Sequence, residues 1–257
     1  MNVVFGRRPV WEALKSGRRM IHKLWVSEGS HGAGIDDVVR AARKQSIPLV
    51  WAKPNQLDRL AKGHHQGMVA EVGNPVQEDL AGFLRRLGNT EPAVLVALDE
   101  IQDPQNVGAI LRSAGFFGVA GLLVPQWRTA PVGQTAWRVS AGAAEHVSVL
   151  RVRNLVQALD DLKETGFEVL GADAEGEPAW THPRTSRMVL VMGSEGKGLR
   201  RLVKEHCDKL IGVPVRGAVG SLNVASATAI LLYEFCRRSF IKGSDTQLKH
   251  GGSKGTE

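Results

Sequence analysis

From Ala93 onward, uninterrupted apolar runs alternate with helical patterns, and this alternation restricts the fold more than any other feature of the chain. The runs are "AVLVAL" (93–98), "GLLVP" (121–125), "FEVLGADA" (167–174), "RMVLVMG" (187–193) and "KLIGVPV" (209–215). Between and after them lie "NVGAILRSAGFFG" (106–118), "NLVQALDDLKETG" (154–166), "GLRRLVKEHCD" (198–208) and "SLNVASATAILLYEFCRRSF" (221–240). A strand with no polar face is covered on both sides. Strands of that kind joined by helices predict an α/β fold with a parallel sheet between two helical layers. The last helix is apolar almost all round through Val224–Leu232, so it is read as buried, against a second subunit.

Residues 1–72 alternate more weakly. "VWEALKSG" (10–17), "IDDVVRAARKQS" (35–46) and "PNQLDRLAKG" (54–63) read as helices, and "HKLWVSEG", "IPLVWA" and "GMVAEV" as strands. They make a small α/β domain of their own. Residues 73–92 mix turn residues with one short helix and are read as a linker. Residues 93–241 form the larger domain, and 242–257, polar and Gly-rich, are read as a disordered tail. The charge divides along the same line. Residues 1–75 carry 12 Lys/Arg against 6 Asp/Glu, whereas 76–257 carry 21 against 20. Nearly all of the net +7 sits in the small domain, which suggests that this part grips a polyanion.

Several classes are set aside. The apolar runs fall far short of the ~20 residues that cross a bilayer, so no membrane partner is expected. "MNVVFGRRPVWEAL" lacks the layout of a signal peptide. Cys207 and Cys236 make neither a disulfide framework nor a zinc site, so a reduced, cytoplasmic protein without a metal is expected. In "GSEGKG" (193–198), Lys197 precedes Gly198 rather than Ser or Thr, so the loop is not a Walker motif, and no G-x-G-x-x-G follows the first strand.

Ligands of an open parallel sheet bind beyond the C-terminal ends of its strands. Three loops there carry unusual polar residues: "DPQNVG" with Arg112 further on, "GSEGKG", and "VPVRGAVGSLN" (213–223). Each candidate has a plainer reading. Asn106, Ser221 and Asn223 are N-cap types, and Glu195 is a carboxylate just ahead of a helix. Arg112 is different. It interrupts an apolar helix, so it needs a partner, and phosphate suits its planar fork.

Taken together, "DPQNVGAILRSAGFFG", "LVMGSEGKGL" and "VPVRGAVGSLNVASATAILLYE" resemble, in order, the three motifs of the SpoU (TrmH-type, SPOUT) RNA 2′-O-ribose methyltransferases, over about 150 residues. "FGRRPVWEAL" and "HHQGMVAEV" resemble the small L30e-like substrate-binding domain of the rRNA-acting branch. The resemblance implies a C-terminal trefoil knot, S-adenosyl-L-methionine as methyl donor with S-adenosyl-L-homocysteine as product, and a homodimer with its active sites at the interface. It also implies 23S rRNA as partner, with a guanosine ribose of the peptidyl-transferase region as target. On the matching positions it implies catalytic roles for Asn106, Arg112, Glu195, Ser221 and Asn223, and a cofactor pocket lined by Gly193, Val213 and Leu222. One departure stands out: the third motif commonly reads "SLNVSVA", and here Ala225 replaces the first valine-flanking serine, with Ser226 one place later. A tRNA-directed enzyme of the same family and a non-catalytic RNA-binding homologue are the alternatives.

Overall fold

A computed structural model describes residues 2–61, 63–73, 78–183, 185–218 and 220–242. The anticipated tail from residue 243 on lies outside them. In chain order the elements are β1 (Asn2–Phe5), α1 (Arg7–Ser16), β2 (Ile21–Ser27), α2 (Ala33–Lys44), β3 (Leu49–Ala52), α3 (Pro54–Leu60) and β4 (Met68–Val72). Then follow α4 (Leu80–Leu87), β5 (Ala93–Leu98), α5 (Pro104–Phe117), β6 (Gly121–Pro125), α6 (Gln134–Val139) and β7 (Ser148–Val152). The chain continues through α7 (Leu155–Glu164), β8 (Glu168–Pro178), β9 (Arg187–Met192), α8 (Arg201–Glu205), β10 (Lys209–Gly212) and α9 (Val224–Lys242).

The first four strands form one sheet in the order β1-β4-β2-β3. Only β2 and β3 run parallel in it. The remaining six form a second sheet, β10-β8-β9-β5-β6-β7, parallel throughout. Both faces of the large sheet are covered, as the apolar runs require. One face packs against α5, α6 and α9 through Val107, Ile110, Leu111, Ala136, Leu231 and Leu232. The other packs against α4, α7 and α8 through Phe83, Leu155, Leu159, Leu162 and Val203. In the central strand β9, Val189, Leu190 and Val191 are fully buried. Each such side chain contributes ~1.5–3 kcal/mol relative to exposure.

The fold differs from the sequence reading in several places. β1 pairs at the edge of the small sheet, and α6 and β7 occupy residues 134–152, where no element is expected. β7 alternates buried and half-exposed residues, as an edge strand does. α8 is shorter than the predicted 198–208 because Gly198 turns back to bond with Ser194. α9 begins at Val224, not Ser221, and runs on to Lys242. α9 is also not buried all round in one chain: Val224, Thr228, Leu231 and Leu232 face the core, while Ile230 (43%) and Tyr233 (57%) are exposed. α4, inside the stretch read as a linker, lays Phe83 into the core of the large sheet.

The two sheets meet along a polar seam. Arg19 lies over the Trp137 ring, 3.5 Å from its centre, and its Nε reaches Glu145 at 3.0 Å. Both members of this pair are buried. Burial lowers the Arg19 pKa and raises that of Glu145, each outweighing the attraction between them. Glu12 and His146 add a second contact at 2.7 Å.

Candidate active site

β5, β6 and β9 lie side by side and parallel, so their C-terminal ends open on one edge. After β5, Asp103 caps α5, its Oδ1 accepting from the Gln105 N–H at 2.8 Å. Asn106 is therefore not the cap. It sits in the first turn with its amide free to face across the edge. After β9, Gly193 begins a tight loop. Ser194 and Gly198 exchange backbone hydrogen bonds (3.1 and 2.9 Å). A Cβ on Gly193 would lie 2.3 Å from the carbonyl carbon of Gly198, so the loop closes only over a glycine. After β10, residues 213–218 and 220–223 have no regular structure ahead of α9.

These segments converge on one carboxylate oxygen. Glu195 Oε1 accepts from Asn106 Nδ2 at 3.1 Å and from Asn223 Nδ2 at 2.7 Å. It also accepts from the Val224 N–H at 3.4 Å. Asn223 Nδ2 donates as well to Asn106 Oδ1 at 3.0 Å. Asn223 Oδ1 caps α9 by accepting from the Ala225 and Ser226 N–H groups at 2.9 and 3.3 Å. Asn223 is thus a cap and a member of the node at once. Glu195 does not cap the helix that follows it; it satisfies an orphan donor of α9, at the positive end of that helix's dipole.

The remaining predicted residues are placed as follows. Arg112 is exposed, contrary to the expectation that it is buried among apolar neighbours. Val107, Ile110, Leu111 and Ala114 form the inward face of α5, and Arg112 points away from it. Among the described residues no carboxylate pairs with it. Ser221 is exposed, next to the node, and no hydrogen bond of its side chain is found among the described residues. Gly193 is buried at the end of β9, Val213 is half-buried after β10, and Leu222 is half-exposed (50%). Cys207 is no nucleophile, since burial pushes its thiol up to about 12. Among the described residues no cluster of ligands suits a metal ion.

One charged network on this edge went unseen in the sequence. Asp99, fully buried at the end of β5, accepts from the Arg200 N–H (2.8 Å) and Nε (2.6 Å). Glu100 lies 3.8 Å from Arg200 and 3.2 Å from Arg128. Glu100 and Arg128 both hold left-handed φ angles, 57° and 60°. Non-glycine residues in that region cost on the order of 1–3 kcal/mol each. The signal was the acidic pair "DE" at the end of an otherwise apolar strand.

Residues 93–233 match the SpoU rRNA Methylase family, and residues 3–76 match the family described as RNA 2′-O ribose methyltransferase substrate binding. The chain belongs to the SpoU methylase family. YacO of Bacillus subtilis, named as a TrmH family tRNA/rRNA methyltransferase, is 38% identical over 238 residues, spanning 91% of this chain and 95% of that one. Among solved structures, the SpoU methyltransferase AviRb from Streptomyces viridochromogenes, in complex with the cofactor AdoMet, superposes with a TM-score of 0.76 at 25% identity. The match covers 93% of this chain and 90% of that one. The A. aeolicus TrmH/SpoU tRNA modifying enzyme matches with a TM-score of 0.54 at 30% identity, over 61% of this chain and 80% of that one. The chain is thus a SpoU-type RNA methyltransferase homologue with the α/β fold and parallel sheet anticipated from its sequence.

Proposed function

We propose that this chain transfers a methyl group from S-adenosyl-L-methionine to the ribose 2′-oxygen of a guanosine in 23S rRNA, in the peptidyl-transferase region. The observation that carries the reading is the node joining Asn106, Glu195 and Asn223 at one sheet edge. The cofactor fits the surrounding loops. Residues 214–218 and 220–222 make no main-chain hydrogen bond to another described residue, which leaves their backbone groups free for a polar ligand. Gly193, Val213 and Leu222 would line that pocket. When bound, the sulfonium supplies an electrophilic methyl group, and neither metal nor covalent intermediate is required.

The chain's own residues then have to position and deprotonate a weakly acidic hydroxyl. Alignment can supply ~7–11 kcal/mol, and removal of the proton by a base a further ~10²–10⁴-fold. Arg112 clamps the phosphate beside the target ribose through its planar fork. It is not the base, because a guanidinium keeps its proton; a water or a neighbouring phosphate takes it. Asn106 and Asn223 orient the ribose, Glu195 braces the glycine loop against α9, and Ser221 stands beside Asn223 at the mouth of the site.

The catalytic unit in this reading is a homodimer. Phe116 (81% exposed), Ile230 and Tyr233 form an apolar surface on α5 and α9, and Arg112 lies one helical turn from Phe116, on the same side of α5. The C-terminal segment is read as knotted. In support, Glu195 of the 193–198 loop meets the first residue of α9, and β10 pairs with β8 while α9 packs back against α5. An rRNA substrate is favoured by the basic charge of residues 1–75, the part that matches the RNA 2′-O ribose methyltransferase substrate binding family. A cytoplasmic setting follows from that substrate. Arg19 is committed to the seam with Glu145, so among the basic residues of the small domain it is not one that faces RNA.

Labelled S-adenosyl-L-methionine offered with unmodified 23S rRNA and, in parallel, unmodified tRNA tests the reading, with products mapped by nuclease digestion and mass spectrometry. One labelled 2′-O-methylguanosine in 23S rRNA is expected. Label only in tRNA would overturn the substrate, and no label in either would overturn the activity.

A further inference from the structure

The loop after β6 sits on the same edge as the node and has no part in the chemistry described so far. Its base is two strand positions from the loop that holds Glu195, roughly 10 Å at the usual strand spacing. It begins Gln126, Trp127, Arg128. Trp127 is 68% exposed, and its indole makes neither a ring–ring nor a cation–π contact among the described residues. The loop beneath it is firmly held. The Gln126 N–H donates to Val152 O at 2.8 Å, the Ala130 N–H donates to Ile101 O at 2.8 Å, and Thr129 and Ala130 are buried. Arg128 is tied through Glu100 towards Arg200, which itself follows the glycine loop. The indole is therefore presented to solvent from an anchored loop, two strands from the node.

The surroundings say what it would meet. Arg112 and Lys197 are exposed on the same edge and form no ion pair among the described residues; Arg128 and Arg200 are exposed there too, but paired with Glu100 and Asp99. This setting, with two uncompensated cations, suits a polyanion. Other exposed indoles do not share it: Trp51 belongs to the small sheet, and Trp180 to the segment that returns to the start of β8, where His182 meets Glu168. A flat, rigidly mounted ring beside unpaired cations is a platform for an unstacked base.

We propose that Trp127 stacks on an unpaired base of the substrate RNA that flanks the target nucleotide, and so selects and aligns the strand entering the node. The proposal rests on the RNA methyl-transfer reading above. Trp127→Ala and Trp127→Phe are compared with the wild type on a short RNA that contains the mapped target, and on copies of it with one flanking base at a time replaced by an abasic residue. Stacking predicts that Trp127→Ala loses about 5- to 150-fold in kcat/KM for RNA, with unchanged affinity for S-adenosyl-L-methionine, and that Trp127→Phe recovers most of the loss. At one flanking position the abasic RNA should slow the wild type by the same factor and slow Trp127→Ala no further, because the two changes remove one contact. Wild-type kcat/KM for Trp127→Ala, a phenylalanine variant as slow as the alanine, or penalties that multiply at every position would each overturn the proposal.

If the wild type methylates no RNA, the activity reading fails by itself. Affinity of both variants for single-stranded RNA, measured without cofactor, then decides the question: a matching loss for alanine, rescued by phenylalanine, upholds the platform, and unchanged affinity removes it.

Discussion

Asn223→Asp separates the two roles of this side chain. The Oδ1 that caps α9 is kept, because aspartate caps as well as asparagine and gains ~0.3–1 kcal/mol from the helix dipole. What changes is Nδ2, which donates to Glu195 at 2.7 Å and to Asn106 at 3.0 Å. An oxygen now faces the Glu195 carboxylate. Two unit charges 2.7 Å apart repel by roughly 1.5 kcal/mol at the dielectric of water and roughly 6 at an effective value of 20. Glu195 and Asn223 are both exposed, so the lower figure applies. The lost donor adds about 1 kcal/mol. The node then costs about 2–3 kcal/mol to hold closed, which corresponds to a 30- to 150-fold fall in methyl transfer. Opening it lets both carboxylates find water, so global stability changes little. The assay pairs a thermal melt with methyl transfer. The aspartate variant should melt within a few degrees of the wild type yet transfer slowly. Asn223→Ala should lose the cap as well, a further ~0.5–2 kcal/mol of stability. If Asn223→Asp transfers methyl at the wild-type rate while Asn223→Ala does not, Asn223 is a cap and nothing more.

Three further outcomes are expected. Arg112→Lys keeps the charge but not the fork; kcat should fall at least about tenfold with an unchanged melting point, and a wild-type rate would remove the phosphate clamp. Gly193→Ala places a Cβ 2.3 Å from a backbone carbon of Gly198, so cofactor affinity and melting temperature should fall together, as read by calorimetry. Arg19→Ala leaves Glu145 buried without its cation, a loss of about 3–5 kcal/mol in urea denaturation; Arg19→Met combined with Glu145→Gln should restore most of it, and simple additivity of the single changes would show that the pair does not interact.

The sheet was legible because strands such as "AVLVAL" (93–98) are apolar at every position, which only a doubly covered sheet explains. The site residues were legible as motif positions, yet their contacts were not. That Asn106 leaves the cap to Asp103, or that Glu195 reaches α9 rather than α8, depends on how three loops far apart in sequence meet. Arg112 was misjudged for a related reason. Its neighbours in sequence are apolar, but helical spacing sends Ile110 and Leu111 inward and Arg112 outward. α9 carried a similar ambiguity, since a helix apolar all round is fully buried only if a second surface covers Ile230 and Tyr233. β1, α6 and β7 are short and sit at edges, where a few residues of pattern do not suffice. Arg19 looked like any other basic residue of the small domain until the fold set it between Trp137 and Glu145.

The central claim is transfer to a ribose oxygen held at the Asn106–Glu195–Asn223 node. The most direct test uses a target RNA in which the mapped nucleotide alone lacks its 2′-hydroxyl, offered with labelled S-adenosyl-L-methionine beside the unmodified RNA. The account predicts that the single deoxy substitution abolishes incorporation while RNA binding persists. Undiminished label on the deoxy RNA would place the methyl group on a base, and would contradict the account.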